Sequence, residues 1–538
     1  MGTNEGVEVK KSLIPGAGNG LFARKAFSPG DVVASVDRPL VAELEVEHML
    51  DTCAWCFQRG ATDPTERKVA ASMGLPHGFT EVKACTGCQR VAYCSRPCQS
   101  KAWKREHKYE CKAIGKKEEP DLPPGVRGAI KILGRLKADS KSEMVHVRNI
   151  QSIWPVGDPN GLNHIAAHDK KKFDDFQILG EAAWIYSGKP SIEGLDLHAI
   201  SRGLLPNIMS NSYALSSQLD GINLGIGFDP LICSANHSCD PNAALVFNQP
   251  QHEIRALRAI KQGEEVFLKY VETTTPYNIR QAQMKEEYLF NCRCARCSSS
   301  TRLEGDQFLG RPEDLASEYC QLADKLASKH ESKLSVFVES GGDVVAQRRV
   351  AALQAEAYAV LDDEQATVDG IKEAIRMCIG SKMWRWTRQP VPRLCRRLFT
   401  MYLGYGYVYQ AFRLGMKLHF EILPALYPQE FYLDRLTNAW DVSTVINVLC
   451  GHGQEEVFNE LARGGLEPRV MYFEFLFYVH DHAPRMFGPN TPFWKVIDNT
   501  YKQIIGGMGI PVAKIKEKTK ALRPSMESLA RSVNETNL

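Results

Sequence analysis

The sequence predicts a multidomain α+β protein: a β-rich core, cysteine-rich inserts and an all-α C-terminal domain. Three observations carry this reading. With 538 residues the chain has room for about two to four domains, each with its own buried core. Near its middle, the polar run Asn236, His237, Ser238, Cys239, Asp240, Pro241, Asn242 leads straight into the apolar Ala243–Phe247, the pattern of a tight turn feeding a short buried strand. From Arg311 onward, "PEDLASEYCQLADKLASKH" and "DVVAQRRVAALQAEAYAVL" instead place apolar residues at three- and four-residue spacing, the period of amphipathic helices.

Composition narrows the function class. Apolar residues make up 44% and charged residues 24%, ordinary values for a globular protein. A formal charge of +3 is too small to imply nucleic acid as a partner. The start "MGTNEGVEVKKSL" lacks the apolar stretch of a signal peptide, and Gly6 stands where a myristoylation motif needs Ser or Thr. No apolar run approaches the ~20 residues of a membrane helix. The expectation is a soluble protein of the cytoplasm or nucleus, monomeric and without membrane contact.

In such a compartment the sixteen cysteines are expected to be thiols or metal ligands. Cys53, Cys56, Cys85, Cys88, Cys94, Cys98 and Cys111 form one cluster; Cys239, Cys292, Cys294 and Cys297 form another. Cys233, Cys320, Cys378, Cys395 and Cys450 are scattered and read as small buried side chains. In the first cluster the order is Cys53-x2-Cys56, Cys85-x2-Cys88, Cys94-x3-Cys98 and His107-x3-Cys111. Four pairs of soft ligands suit two tetrahedral zinc sites. A two-residue gap fits a tight turn that aims both thiolates at one ion, and a four-residue step fits one helix face. Ser95 is placed to cap a helix continuing through "QSKAWKREHKYEC".

This run, ending "YCSRPCQSKAWKREHKYEC", resembles a MYND zinc finger. The resemblance implies interleaved ligation, with Cys53, Cys56, Cys94 and Cys98 on one zinc and Cys85, Cys88, His107 and Cys111 on the other. It also implies a protein-binding module for proline-containing peptides. Residues 57–84 form a longer insert than the family shows, and the polar "GATDPTERK" within it is expected to be exposed and mobile.

Four further segments are similar to SET-domain methyltransferases. The run Asn236–Asn242 resembles the NHS-x-x-PN signature. "GAGNGLFARKAFSPGDVV" matches the glycine-rich N-terminal motif, "IKQGEEVFLKY" the strand ending in a catalytic tyrosine, and "YLFNCRCARC" the post-SET cysteines. A finger set inside the SET segments resembles the SMYD family, which implies S-adenosylmethionine-dependent protein-lysine methylation of histone or non-histone lysines. By the same resemblance, Gly18, Asn19, Gly20, Asn211, Asn236, His237, Tyr270 and Phe290 bind the cofactor. Tyr270 and Tyr288 are catalytic, and Cys239, Cys292, Cys294 and Cys297 hold a third zinc. Ala17 stands where the family commonly carries Arg or Lys, which favours an alternative reading as a catalytically weak scaffold that binds protein partners. The finger ligands lie outside the cofactor motifs, so the finger is expected to be separable from catalysis.

The implied boundaries are 1–52 and 201–272 for the two SET parts, 53–111 for the finger, 112–200 for a helical insert, 273–300 for the post-SET segment and 311–530 for a tetratricopeptide-like helical domain. "MWRWTRQPVPRLCRR" reads as a loop entering a helix with Trp384 and Trp386 in the core, and "ALRPSMESLARSVNETNL" as a frayed tail.

Overall fold

The computed structural model describes residues 4–60, 81–115, 121–153, 155, 160–216, 222–248, 250–299, 306, 308–338, 343–451, 454–489 and 491–538. Most of the insert expected to be exposed, residues 61–80, lies outside them. Two compact units divide the chain.

The first unit comprises Met1–Tyr270, Glu287–Cys294 and Thr491–Phe493. Its strands are β1 (Val7–Lys11), β2 (Asn19–Ala23), β3 (Val32–Val36), β4 (Val41–Leu44), β5 (Lys83–Ala84), β6 (Ala92–Tyr93), β7 (Tyr213–Ser216), β8 (Asn223–Phe228), β9 (Ala243–Asn248), β10 (Gln251–Ala256) and β11 (Glu265–Val266). They pair antiparallel in the orders β1-β2-β11, β3-β10-β9 and β4-β8-β7, with β5 and β6 as a separate ribbon. Each three-stranded sheet therefore joins strands far apart in sequence. The strand expected after the polar turn is β9.

Helices α1 (Arg96–Ala102), α2 (Lys108–Ile114), α3 (Pro124–Ala138), α4 (Ser140–Gln151), α5 (Gly161–His168), α6 (Lys170–Tyr186), α7 (Leu197–Asn211) and α8 (Pro230–Cys233) complete this unit. Ser95 caps α1, its Oγ accepting the Cys98 N–H at 3.3 Å. Asp139, Asp169 and Asp196 cap α4, α6 and α7 in the same way. One expectation fails here: the helix does not run unbroken from Ser95 to Cys111. A π-helical turn, Trp103–His107, separates α1 from α2. Its wider winding changes the facing of the later residues, so Cys98 and Cys111 turn to different ligand sets.

The finger has no private core. Cys53, Cys85, Tyr93 and Ile114 pack in one cluster with Val41 and Leu44 of β4 and with Val126, Ile130 and Leu133 of α3. A buried chain of charges runs through the same region. Arg38 meets Glu106 at 2.6 Å, Lys131 meets Glu43 at 2.6 Å and Glu110 at 3.0 Å, and Arg127 meets Glu43 at 3.3 Å. The finger therefore shares its core with β4 and α3 rather than packing as a unit of its own. Removing it would strip apolar contacts from β4 and leave buried charges unpaired. A second cluster, with Leu21, Phe27, Ile254, Val266 and Leu268, forms the core of the sheets built on β2 and β10.

The second unit comprises Val271–Glu286, Ala295–Asn490 and Trp494–Leu538. It is helical, with long members at Val344–Asp362, Leu433–Leu449, Pro468–Phe487 and Val512–Ser532. Trp384 is fully buried as expected, whereas Trp386 is half-buried and its ring carries the Lys417 ammonium at 4.4 Å. The expected frayed tail is instead the end of a docked helix. Met526, Ala530 and Val533 are buried, and the Asn537 carbonyl accepts from Arg413. Three apolar residues on one face outweigh the polar composition that suggested fraying. Among the described residues, no helix is long and apolar enough to cross a membrane.

Candidate active site and metal centres

The polar turn after α8 lies beside the segment that ends in Tyr270. Asn236 C=O accepts the Leu268 N–H at 2.9 Å, and Ser238 N–H donates to the Leu268 carbonyl at 3.0 Å. Asn242, fully buried, locks the far end of the turn: its Nδ2 donates to the Glu265 carbonyl at 2.8 Å and its Oδ1 accepts the Phe267 N–H at 2.8 Å. The asparagines here satisfy backbone groups that a short, irregular crossing cannot pair by itself.

His237 is buried and used on both sides of its ring. Nδ1 accepts the Tyr270 N–H at 3.0 Å, and Nε2 lies 3.3 Å from Cys239 Sγ. Accepting at Nδ1 puts the proton of the neutral ring on Nε2. Both ring nitrogens thus meet groups of the protein itself. The ring is a strut between the tyrosine backbone and the cysteine cluster.

Asn236 donates from Nδ2 to the Asn19 carbonyl and to Glu265 Oε1, each at 2.9 Å. The same buried carboxylate accepts the Ser12 hydroxyl at 2.7 Å and the Leu13 N–H at 3.0 Å. Glu265 thus ties β11 to the turn and to the segment before the Gly18 bend. Sequence reasoning assigned it no role; the signal was a carboxylate placed beside Val266 in an otherwise apolar strand. Gly20 lies against the same carboxylate. A Cβ there would lie 2.1 Å from Glu265 Oε1, so the glycine makes room for this carboxylate. Gly18 has a φ of +70°, the left-handed conformation that favours glycine.

Tyr270, Tyr288 and Phe290 come together. The ring centroids of the two tyrosines are 5.1 Å apart, and those of Tyr288 and Phe290 are 6.4 Å apart. Tyr270 Oη donates to the Ala235 carbonyl at 2.9 Å, and Tyr288 Oη donates to the Tyr270 carbonyl at 3.5 Å. Leu289, between Tyr288 and Phe290, has φ of 60°, and its carbonyl is 3.0 Å from His164 Nε2. That left-handed residue ends the helix Tyr277–Tyr288 and turns the chain back. Burial pushes the Tyr270 phenol well above its usual value, and pushes Tyr288 up to about 12, with the Glu287 charge adding to it. Asn211 ends α7, where its Nδ2 donates to the Asn207 carbonyl at 2.9 Å and its own carbonyl accepts the Cys233 thiol at 3.2 Å. Cys233, read as an inert buried thiol, thereby links α8 to the end of α7.

Three ligand sets assemble: Cys53, Cys56, Cys94 and Cys98; Cys85, Cys88, His107 and Cys111; Cys239, Cys292, Cys294 and Cys297. In each, the ligand atoms all lie within 4.8 Å of one another. Zinc–sulfur bonds of about 2.3 Å in a tetrahedron give sulfur–sulfur edges of ~3.8 Å. The observed Cys56–Cys94, Cys94–Cys98, Cys85–Cys111 and Cys239–Cys292 separations are 3.6, 3.5, 3.9 and 4.0 Å. Disulfide sulfurs would stand ~2.05 Å apart. The donor sets therefore fit three zinc ions. His107 Nδ1 is 2.9 Å from Glu110 Oε1, which orients Nε2 toward Cys85 and Cys88 at 3.3 and 3.7 Å.

The turn hydrogen-bonded beside the segment that ends in Tyr270 falls within the part of the chain that is similar to SET-domain proteins. The SET domain family matches residues 18–271. The histone-lysine N-methyltransferase ASHR1 of Arabidopsis thaliana is 26% identical over 441 residues, 78% of this chain and 83% of that protein. Human histone-lysine N-methyltransferase SMYD3 is 28% identical over 323 residues, and SET domain and MYND-type zinc finger protein 6 of Schizosaccharomyces pombe is 26% identical over 304. These two matches each cover 56% of this chain, and 65% and 54% of the respective relatives. With its finger set between the SET strands, the chain is similar to the SMYD family.

Proposed function

We propose that this chain is an S-adenosylmethionine-dependent protein-lysine N-methyltransferase. The observation that supports it most is the setting of Tyr270, held at its N–H by His237 and at its hydroxyl by Ala235, with the Tyr288 ring beside it. When bound, S-adenosylmethionine supplies a methyl group activated on a sulfonium. Gly18, Asn19, Gly20, Asn211, Asn236 and Phe290 would hold it, with His237 positioning the turn.

The chain's own residues must deliver a neutral, aligned lysine amine. Free lysine has a pKa of ~10.4, and an apolar aromatic surround lowers it by disfavouring the ammonium. Tyr270 is unsuited to be a base, because its buried phenol holds its proton and donates it to Ala235. That donation leaves the oxygen's lone pairs to accept from the amine, which orients it. The faces of Tyr270 and Tyr288 favour the positive charge of the reacting centre.

The test is calorimetric titration of the zinc-loaded protein with S-adenosylmethionine, followed by transfer of a labelled methyl group to lysine-containing proteins. Binding and transfer support the enzyme when blocking the acceptor lysine abolishes transfer alone and replacing Asn236 abolishes both. Absence of cofactor binding by the folded, zinc-loaded chain would return the reading to a partner-binding scaffold.

A further inference from the structure

Within the first unit, a cleft of about 1360 Å³ is walled by residues of α2, α3, α6 and α7. Its lining shares no residue with the tyrosine site or the three cysteine sets. At Gly134 in α3, an added Cβ would lie 2.4 Å from Tyr109 Cβ, so a glycine lets α2 and α3 close against each other along one wall. On α6, Ile178 and Ile185 are 65% and 45% exposed. Seven residues apart, they share one helix face with about 10 Å between them. Lys108, Lys112, Lys137 and Arg202 are exposed around this floor. The acid among the lining residues, Glu181, already pairs with His198.

We propose that this cleft docks a short acidic peptide segment of a partner protein, carrying two apolar side chains about two helical turns apart. The chemistry selects this occupant. Four cations against one paired carboxylate call for negative charge. Two exposed isoleucines call for apolar side chains, which a sugar–phosphate backbone does not offer. The volume exceeds the roughly 300–1,000 Å³ of small-molecule pockets. The inference stands apart from methyl transfer.

The experiment uses the full zinc-loaded chain and fluorescence anisotropy. The probe is a labelled Glu/Ala peptide of about fifteen residues with two leucines seven residues apart. The expected result is saturable binding that weakens about tenfold or more in Ile178→Asp and in Lys137→Glu, and likewise when the probe's leucines become asparagine at unchanged charge. Circular dichroism confirms that each variant is folded, and Ile185→Asn replaces Ile178→Asp if that variant is not. Equal affinity in wild type and both variants, or no binding at ~100 µM probe, overturns the proposal. So does a labelled DNA duplex that binds more tightly than the peptide and is weakened by Lys137→Glu but not by Ile178→Asp.

Discussion

His237 Nδ1 accepts the backbone N–H of Tyr270 at 3.0 Å. A side chain from the polar turn thereby fixes the residue proposed to orient the substrate amine, and the same ring reaches Cys239 on its other edge. Replacing His237 by Leu leaves a half-buried N–H without this acceptor, at a cost of about 1–3 kcal/mol. His237→Asn places a carbonyl oxygen near the Nδ1 position. The expected order of both melting temperature and methyl transfer is wild type, then Asn, then Leu. Equal behaviour of Asn and Leu would show that the hydrogen bond is not what matters.

Tyr270→Phe keeps the ring against Tyr288 and removes the hydroxyl that Ala235 holds. Folding should weaken by about 1 kcal/mol, cofactor affinity should change little, and turnover should fall by ~10²-fold or more. The phenols stay neutral through ordinary assay pH. Tyr288 has a folded pKa raised to about 12, against ~10 unfolded, so its contribution is complete below pH ~10 and lost as pH rises from there through its folded value. A pH–rate profile should therefore show no loss of activity assignable to these tyrosines below pH ~9.

Gly20→Ala drives a methyl group to within 2.1 Å of Glu265 Oε1 if nothing moves. The carboxylate must give way, releasing Asn236, Ser12 or Leu13. A loss of about 1–3 kcal/mol is expected, with weakened cofactor binding. Adding Glu265→Ala should cost much less on the Gly20→Ala background than on wild type, and a thermal-denaturation double-mutant cycle reads this directly. Additive losses would show that the two residues act independently.

Lys131→Met should destabilise the first unit by about 3–5 kcal/mol, because Glu43 and Glu110 lose a shared buried cation. If the finger and the β4 sheet fold together, intrinsic fluorescence and zinc release should report one transition. Early zinc release with the remainder still folded would instead show that the finger folds independently of the β4 sheet.

Metal analysis of gently purified protein should find three zinc ions per chain. Cys239→Ser should remove one of them and abolish methyl transfer, since that thiolate belongs to the turn that carries Asn236 and His237. A variant that keeps three zinc ions would exclude Cys239 as a ligand.

Much of the site was legible because its chemistry is local. Cysteine pairs two to four residues apart are aimed by a turn or a helix, so Cys53-x2-Cys56 and Cys94-x3-Cys98 announce their geometry in one dimension. The turn Asn236–Asn242 likewise declares itself through residues that pair with backbone. Resemblance then supplied roles that spacing could not.

The tertiary structure alone decided how distant segments use one another. Glu265 beside Gly20, the His237 ring between Tyr270 and Cys239, and Lys131 between Glu43 and Glu110 join positions far apart in the chain. The partners of the His237 ring nitrogens are visible only in space. The polar tail reads as frayed until Met526 and Ala530 find a surface to cover. Spacing encodes contacts made within a few residues; partners brought together by chain crossing and core packing leave no period in the sequence, and only the fold reveals them.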